Sequence, residues 1–166
     1  GSTWPKDEAL LAKYIKENSN YNYIVAPHEM RYISELKNQT NALLFSKADN
    51  TNIRNSNVLI IDSIGILANV YKYGDLAYIG GGFGTGIHNI LEAVAFGLPV
   101  IFGPNHQKFK EANDLINQNA AISISNYKEL ISAIDYFLNI FDKLIATNYI
   151  QKNSGATTKI LNSIIK

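Results

Sequence analysis

Short apolar runs of β-favouring residues recur along this chain, separated by longer stretches whose apolar positions repeat every three or four residues. The runs at 22–26, 42–45, 58–61, 76–80, 100–103 and 120–124 are rich in Val, Ile, Leu and Ala and predict six buried strands. Helical periodicity marks 5–18, 29–38, 64–72, 89–96 and 109–117. Pro5, with Asp7 and Glu8 behind it, suits a first helical turn. Leu130, Ile131, Ile134, Phe137, Leu138, Phe141, Leu144 and Ile145 trace one apolar stripe, and 149–166 adds a further helical segment. This alternation predicts an α/β fold: a Rossmann-like parallel sheet of about six strands with helices on both faces. The Asn-rich stretch 50–57 reads as a connector. The chain opens on a loop and helix where a βαβ unit places a strand, which suggests a fragment of a larger protein. Gly1-Ser2 reads equally as native sequence or as a cloning remnant.

The 166 residues fit one domain with a real core. Fifteen Lys and Arg oppose fourteen Asp and Glu without a basic cluster, so nucleic acid is not an expected partner. The absence of cysteine excludes disulfides and thiolate metal sites. No apolar run approaches the length of a membrane span, and the piece is expected to be soluble.

Candidate chemistry concentrates in 76–104, which reads as strand, glycine-rich turn, helix, Gly-Leu-Pro turn and strand. Gly80, Gly81, Gly82, Gly84 and Gly86 allow backbone N–H groups to approach a ligand closely, with the next helix aiming its positive end at the same spot. That arrangement suits a phosphate or carboxylate, although glycines also serve simply to make a tight turn. His88, Asn89 and Glu92 have the spacing of one helical face: His88 to donate to a phosphate oxygen, Asn89 to donate or accept, Glu92 to accept two ribose hydroxyls. A capping role is the competing reading of Glu92. No Lys-Ser/Thr pair follows the glycines and no G-x-G-x-x-G spacing occurs, so neither a P-loop nor a dinucleotide fingerprint is present.

Gly-Ile-His-Asn-Ile-Leu-Glu-Ala (86–93), followed by Gly-Leu-Pro-Val-Ile-Phe-Gly-Pro (97–104), is similar to the donor-site motif of the 3-deoxy-D-manno-octulosonic acid (Kdo) transferases of lipopolysaccharide core biosynthesis. Gly1-Ser2-Thr3-Trp4 with Asp7-Glu8, Ala26-Pro27-His28-Glu29, Asp62-Ser63-Ile64-Gly65 and Asn153-Ser154-Gly155-Ala156-Thr157 resemble further family elements in the same order. Two departures are Ile87, where many members have Gly, and Ile66, where many have an acidic residue. The first is expected to narrow the turn.

The resemblance implies the C-terminal, donor-binding half of a two-domain GT-B enzyme that transfers Kdo from CMP-Kdo to a lipid A precursor with inversion, at the cytoplasmic face of the bacterial inner membrane. Gly82, Gly84, Gly86, His88 and Asn89 are then expected around the CMP phosphate, with Glu92 at the ribose and Ser2 and Thr3 facing the phosphate. Pro27, His28, Arg31, Ile64 and Gly65 are candidates for the cytidine and the charged sugar, Arg31 reading equally as a surface arginine. His106 is read as an ordinary loop histidine. No cofactor or metal is implied. The general base and the membrane contact belong to the half not represented, so this chain is expected to bind without turning over. The alternatives are a UDP-sugar GT-B transferase or epimerase domain and a non-catalytic nucleotide-binding module.

Overall fold

Each of the six apolar runs becomes a parallel strand in the computed structural model, which describes residues 1–153 and Gly155. Ser154 and 156–166, which carry most of the expected last helical segment and of the 153–157 motif, lie outside the described residues. The strands pair as two ladders of three. In one, β1 (Tyr23–Val25), β2 (Leu43–Leu44) and β3 (Val58–Ile60) run in the order β1-β3-β2; in the other, β4 (Ala77–Ile79), β5 (Val100–Phe102) and β6 (Ala121–Ser123) run β4-β5-β6.

Residues 1–3 join the two ladders. Thr3 donates its N–H to the Ala26 carbonyl at 3.1 Å and accepts from His28 N–H at 2.8 Å, a parallel bridge to Pro27. On the other side, the Gly1 nitrogen donates to the Tyr78 carbonyl at 2.5 Å and the Gly1 carbonyl accepts from Gly80 N–H at 2.9 Å. The expected loop at the chain start is a loop that carries an isolated parallel bridge at Thr3 and bonds both ladders through its backbone. A single bridge of this kind leaves no periodicity in the sequence.

Helices cover both faces. α1 (Pro5–Glu17) and α6 (Tyr127–Ile140) set Tyr14, Leu130, Ile134 and Phe137 around Ile101. α4 (Leu91–Val94), α5 (Lys110–Asn117) and α7 (Lys143–Asn153) bring Val94, Leu115 and Tyr149 onto Ala77, Ile79, Val100 and Phe102, the alternate side chains of the same strands. Burial on both faces is why the strands read as continuous apolar runs. α2 (Ile33–Thr40) closes the first ladder with Leu36, and α3 (Leu67–Val70) is a single turn before β4.

The apolar stripe after β6 is two helices, not one: Phe141 is extended, and Asp142 Oδ1 accepts the Leu144 N–H at 2.9 Å to start α7. Leu138 and Leu144, both in that stripe, remain exposed. The segment expected as a helix from residue 89 begins only at Leu91.

The seam between the ladders depends on Gly80. A Cβ there meets the Ser2 carbonyl oxygen at 2.1 Å and Thr3 Cα at 2.6 Å, both backbone atoms that cannot swing away. Gly80→Ala is expected to cost at least roughly 1–3 kcal/mol, read as a lowered thermal midpoint. Gly84→Ala is the control, since its nearest neighbour is the Gly81 carbonyl at 3.5 Å and its stability should be close to that of the parent. Equal midpoints for the two variants overturn the close-approach argument.

Candidate functional site

The strand order reverses at residues 1–3: β1 lies on one side of them and β4 on the other, and the chain leaves all three at the same edge. Open α/β sheets bind ligands in the crevice at such a point. Three rings gather there. Trp4, following Thr3, stacks on His28 with centroids 4.5 Å apart and 21° between planes. His28 and His88 lie 4.5 Å apart, and Trp4 Nε1–H donates to His88 Nε2 at 3.0 Å. Two strand ends and the glycine turn thus each contribute one ring.

Asp7 anchors this corner from beneath. Fully buried in the first turn of α1, it accepts from Tyr78 Oη at 2.8 Å, from Gly81 N–H at 2.9 Å and from Trp4 N–H at 2.9 Å. Burial first, then the Asp7 charge, pushes the Tyr78 phenol far above its ordinary pKa. Glu8, also buried, accepts from Thr3 Oγ1 at 3.0 Å, and burial raises its pKa. Pro5 and the acidic pair do begin the helix, but the acids face inward and fasten it to the sheet.

Of the residues that sequence singles out, Ser2, Thr3, Pro27, His28 and His88 come together at this edge. Ser2 has φ +53°, a conformation costly to a residue with a Cβ. Thr3 and Pro27 are buried in the seam. The turn glycines divide. Gly82 is buried against Gly103, where a Cβ would come 2.5 Å from the Gly103 nitrogen; Gly84 is exposed; Gly86 has φ +142° beside the Phe109 ring. Several turn N–H groups are spent within the protein. Gly81 donates to Asp7, Gly84 and Gly86 to the Gly81 carbonyl, and His88 to the Gly80 carbonyl.

His88 and Asn89 precede α4 rather than opening it, so no helical face holds them with Glu92. Asn89 and Glu92 still meet: Asn89 Nδ2 donates to Glu92 Oε1 at 3.1 Å, while Asn89 Oδ1 accepts the Leu91 N–H at 3.0 Å. Asn89 therefore supplies the side-chain bond at the helix start, and Glu92 Oε2 has no protein partner among the described residues. With four residues, α4 also has little dipole to offer an anion. Ile64, 91% exposed, and Gly65 at φ +89° follow β3 and make no hydrogen bond or ring contact with His28 or His88. Arg31 forms an exposed ion pair with Glu29 at 2.6 Å. His106 meets the Phe102 ring at a tilt of 51° and bonds Asn113 at 3.2 Å. A cavity of about 480 Å³ is lined by Gly1, Thr3 and Tyr78 of the seam and by apolar side chains such as Leu11, Ile24, Leu76 and Leu138, but by none of the three rings. Among the described residues no group of three or more His, Asp or Glu side chains is placed to hold a metal ion.

No protein-family model matches the chain. It is 29% identical over 181 residues to a Kdo transferase of Rickettsia conorii, covering 99% of this chain and 39% of the relative, and 31% identical over 157 residues to that of Rickettsia prowazekii, covering 89% and 34%. A bifunctional glycosyltransferase/methyltransferase of Fusobacterium nucleatum is 26% identical over 174 residues, 93% of this chain and 27% of the relative. The chain is related to the Kdo transferases. It spans between about a quarter and two fifths of the length of these relatives. Its fold is that of the C-terminal CMP-Kdo binding domain of WaaA from Acinetobacter baumannii, with a TM-score of 0.73, 22% identity, and coverage of 89% of this chain and 84% of that one.

Ile87, where many Kdo transferases have Gly, has its side chain buried in the core cluster with Ile90, Val94 and Leu115. Asp7 and Tyr78 were not among the expected site residues, nor was Trp4. Trp4, the only tryptophan, and Asp7 stand within motifs quoted for the family, but nothing in the spacing shows that Asp7 reaches Gly81, 74 positions away.

His88 gives a pH dependence. Burial, then the neighbouring His28, lowers its pKa from 6.5, with Asp7 partly opposing. The folded protein thus holds this proton less tightly than the unfolded chain, so the stabilisation is complete above about pH 6.5 and is lost as pH falls through the lowered value. His88→Gln keeps an acceptor for Trp4 but does not titrate. The melting-temperature advantage of the parent over His88→Gln should therefore shrink between about pH 7.5 and about pH 5. A constant difference across that range contradicts the assignment.

Proposed function

We propose that residues 1–166 form the donor-binding domain of a Kdo transferase and take CMP-Kdo at the crevice beside Trp4, His28 and His88. The observation that carries this reading is the convergence of Ser2, His28 and His88 at the switch point of the sheet, in a chain related to Kdo transferases. The phosphate of the donor lies against the turn 82–86, within reach of His88 and Asn89. The ribose hydroxyls reach the open Oε2 of Glu92. Pro27, His28 and the exposed Ile64–Gly65 tip border the cytidine and sugar, with Arg31 recruited only if it leaves Glu29.

Charge grows on the CMP phosphate as the glycosidic bond breaks, and preorganised donors stabilise it without reorganising. In this reading those donors are the turn amides that remain unspent and the imidazole of His88, with no metal or cofactor taking part. The lipid A precursor, the general base that deprotonates its hydroxyl and the contact with the inner membrane are assigned to the part of the relatives that this chain does not span. Among the described residues no helix is long and apolar enough to cross a membrane.

Calorimetric titration tests the donor. CMP should bind more tightly than UMP or UDP, and equal or stronger binding of UDP favours a UDP-sugar enzyme instead. Glu92→Gln removes the charge that strengthens the ribose hydrogen bonds, which should weaken CMP binding by about ten- to a hundredfold, corresponding to roughly 1.5–3 kcal/mol. The melting temperature should change little, because Asn89 rather than Glu92 bonds the helix start. A drop in melting temperature with unchanged affinity removes Glu92 from the site. The polypeptide alone, given CMP-Kdo and lipid acceptor, should show no Kdo transfer above a denatured control.

A further inference from the structure

We propose that Trp4 is a positioning residue that holds His88 in a single neutral tautomer, with the proton on Nδ1 and directed to the ligand crevice. An indole N–H can only donate, so the imidazole nitrogen that receives it carries no proton. Trp4 Nε1 lies 3.0 Å from His88 Nε2, and the one ring proton of a neutral His88 must then sit on Nδ1. This tautomer is the less common one for a free imidazole, so an environment has to select it.

The ring is also held in place. His28 lies against it at 4.5 Å with the rings tilted by 34°, and Trp4 in turn stacks on His28 at 4.5 Å, so the three rings brace one another. Its Cδ2 edge rests on Gly81, where a Cβ would come within 3.1 Å. Gly81 is itself fixed by its N–H bond to Asp7 and by φ +92°. The opposite edge, carrying Nδ1, has no protein partner among the described residues, and no unpartnered buried side-chain nitrogen is found there, so it reaches solvent. A donor held rigid on three sides and open on the fourth is a preorganised hydrogen-bond group for an anionic oxygen.

The titratable groups facing His88 are His28, Asp7 and the amino group of Gly1. Protonating His88 gives Nε2 a hydrogen that confronts the indole N–H, so the arrangement exists only while the ring is neutral. The fastening thus belongs to the pH range in which His88 is uncharged, with Asp7 the one group opposing the shift.

This inference rests on the nucleotide-binding reading for its ligand but not for its first test. Nitrogen-15 NMR of the histidine side chains in the 166-residue chain should show His88 as the Nδ1–H tautomer without any nucleotide. In Trp4→Phe, which keeps a stacking ring and loses the donor, His88 should move to the Nε2–H form, and CMP affinity should fall by about tenfold, the scale of one hydrogen bond. An Nε2–H tautomer in the parent overturns the proposal. So does a Trp4→Phe variant that loses affinity while the tautomer stays unchanged, since Trp4 then acts by packing alone. Should Trp4→Phe fail to give a dispersed spectrum, His88→Ala supplies the reciprocal reading: the Trp4 indole proton should exchange faster with water, and unchanged exchange overturns the bond. If the parent shows the Nδ1–H tautomer but binds no CMP, the nucleotide reading fails and the tautomer assignment stands.

Discussion

A single buried carboxylate ties the corner of this fold together. Asp7 accepts from Trp4 N–H, Gly81 N–H and Tyr78 Oη, and so connects the first turn of α1, the glycine turn and β4. Leaving a buried Gly81 N–H unpaired costs about 1–3 kcal/mol, more than the net gain of an ordinary hydrogen bond. The arrangement is therefore required in a stronger sense than an extra contact. With Asp7 in place, α1 is docked, residues 1–3 lie between the two ladders, and the chain emerges at the edge where His28 and His88 stand.

The glycines of the turn serve the same constraint. Gly80 admits the Ser2 carbonyl and Gly82 admits the backbone of Gly103, so two strands can approach where any side chain would collide. Much of what a glycine-rich turn suggests about phosphate binding is used here for packing. Several of its N–H groups are already engaged, so in the proposed donor site the weight of recognition falls on side chains, His88 foremost.

The site is consequently an aromatic corner more than a helix-capped anion hole. α4 is too short to contribute a significant dipole, and its first N–H is met by Asn89. What remains directed outward is one face of the Trp4, His28 and His88 group, the open oxygen of Glu92 and the exposed tip at Ile64 and Gly65. A nucleotide monophosphate carries complementary chemistry for each: an anionic oxygen, paired hydroxyls and a flat base.

The α/β class, the six strands and the glycine turn are legible in the residues alone, because strands enclosed by helices leave continuous apolar runs that no distant contact is needed to read. The sequence also carried the family resemblance, through short segments in fixed order. Tertiary structure decided the rest. The bonding of residues 1–3 to the ends of both β1 and β4 depends on residues more than twenty positions away, and an isolated bridge has no period to detect. The late start of α4, the break at Phe141 and the inward turn of Asp7 and Glu8 each follow from hydrogen bonds or burial that sequence spacing does not encode. Trp4 and His88 are 84 positions apart, and only the folded sheet, by bringing the end of residues 1–3 beside the end of β4, lets an indole N–H choose which imidazole nitrogen keeps its proton.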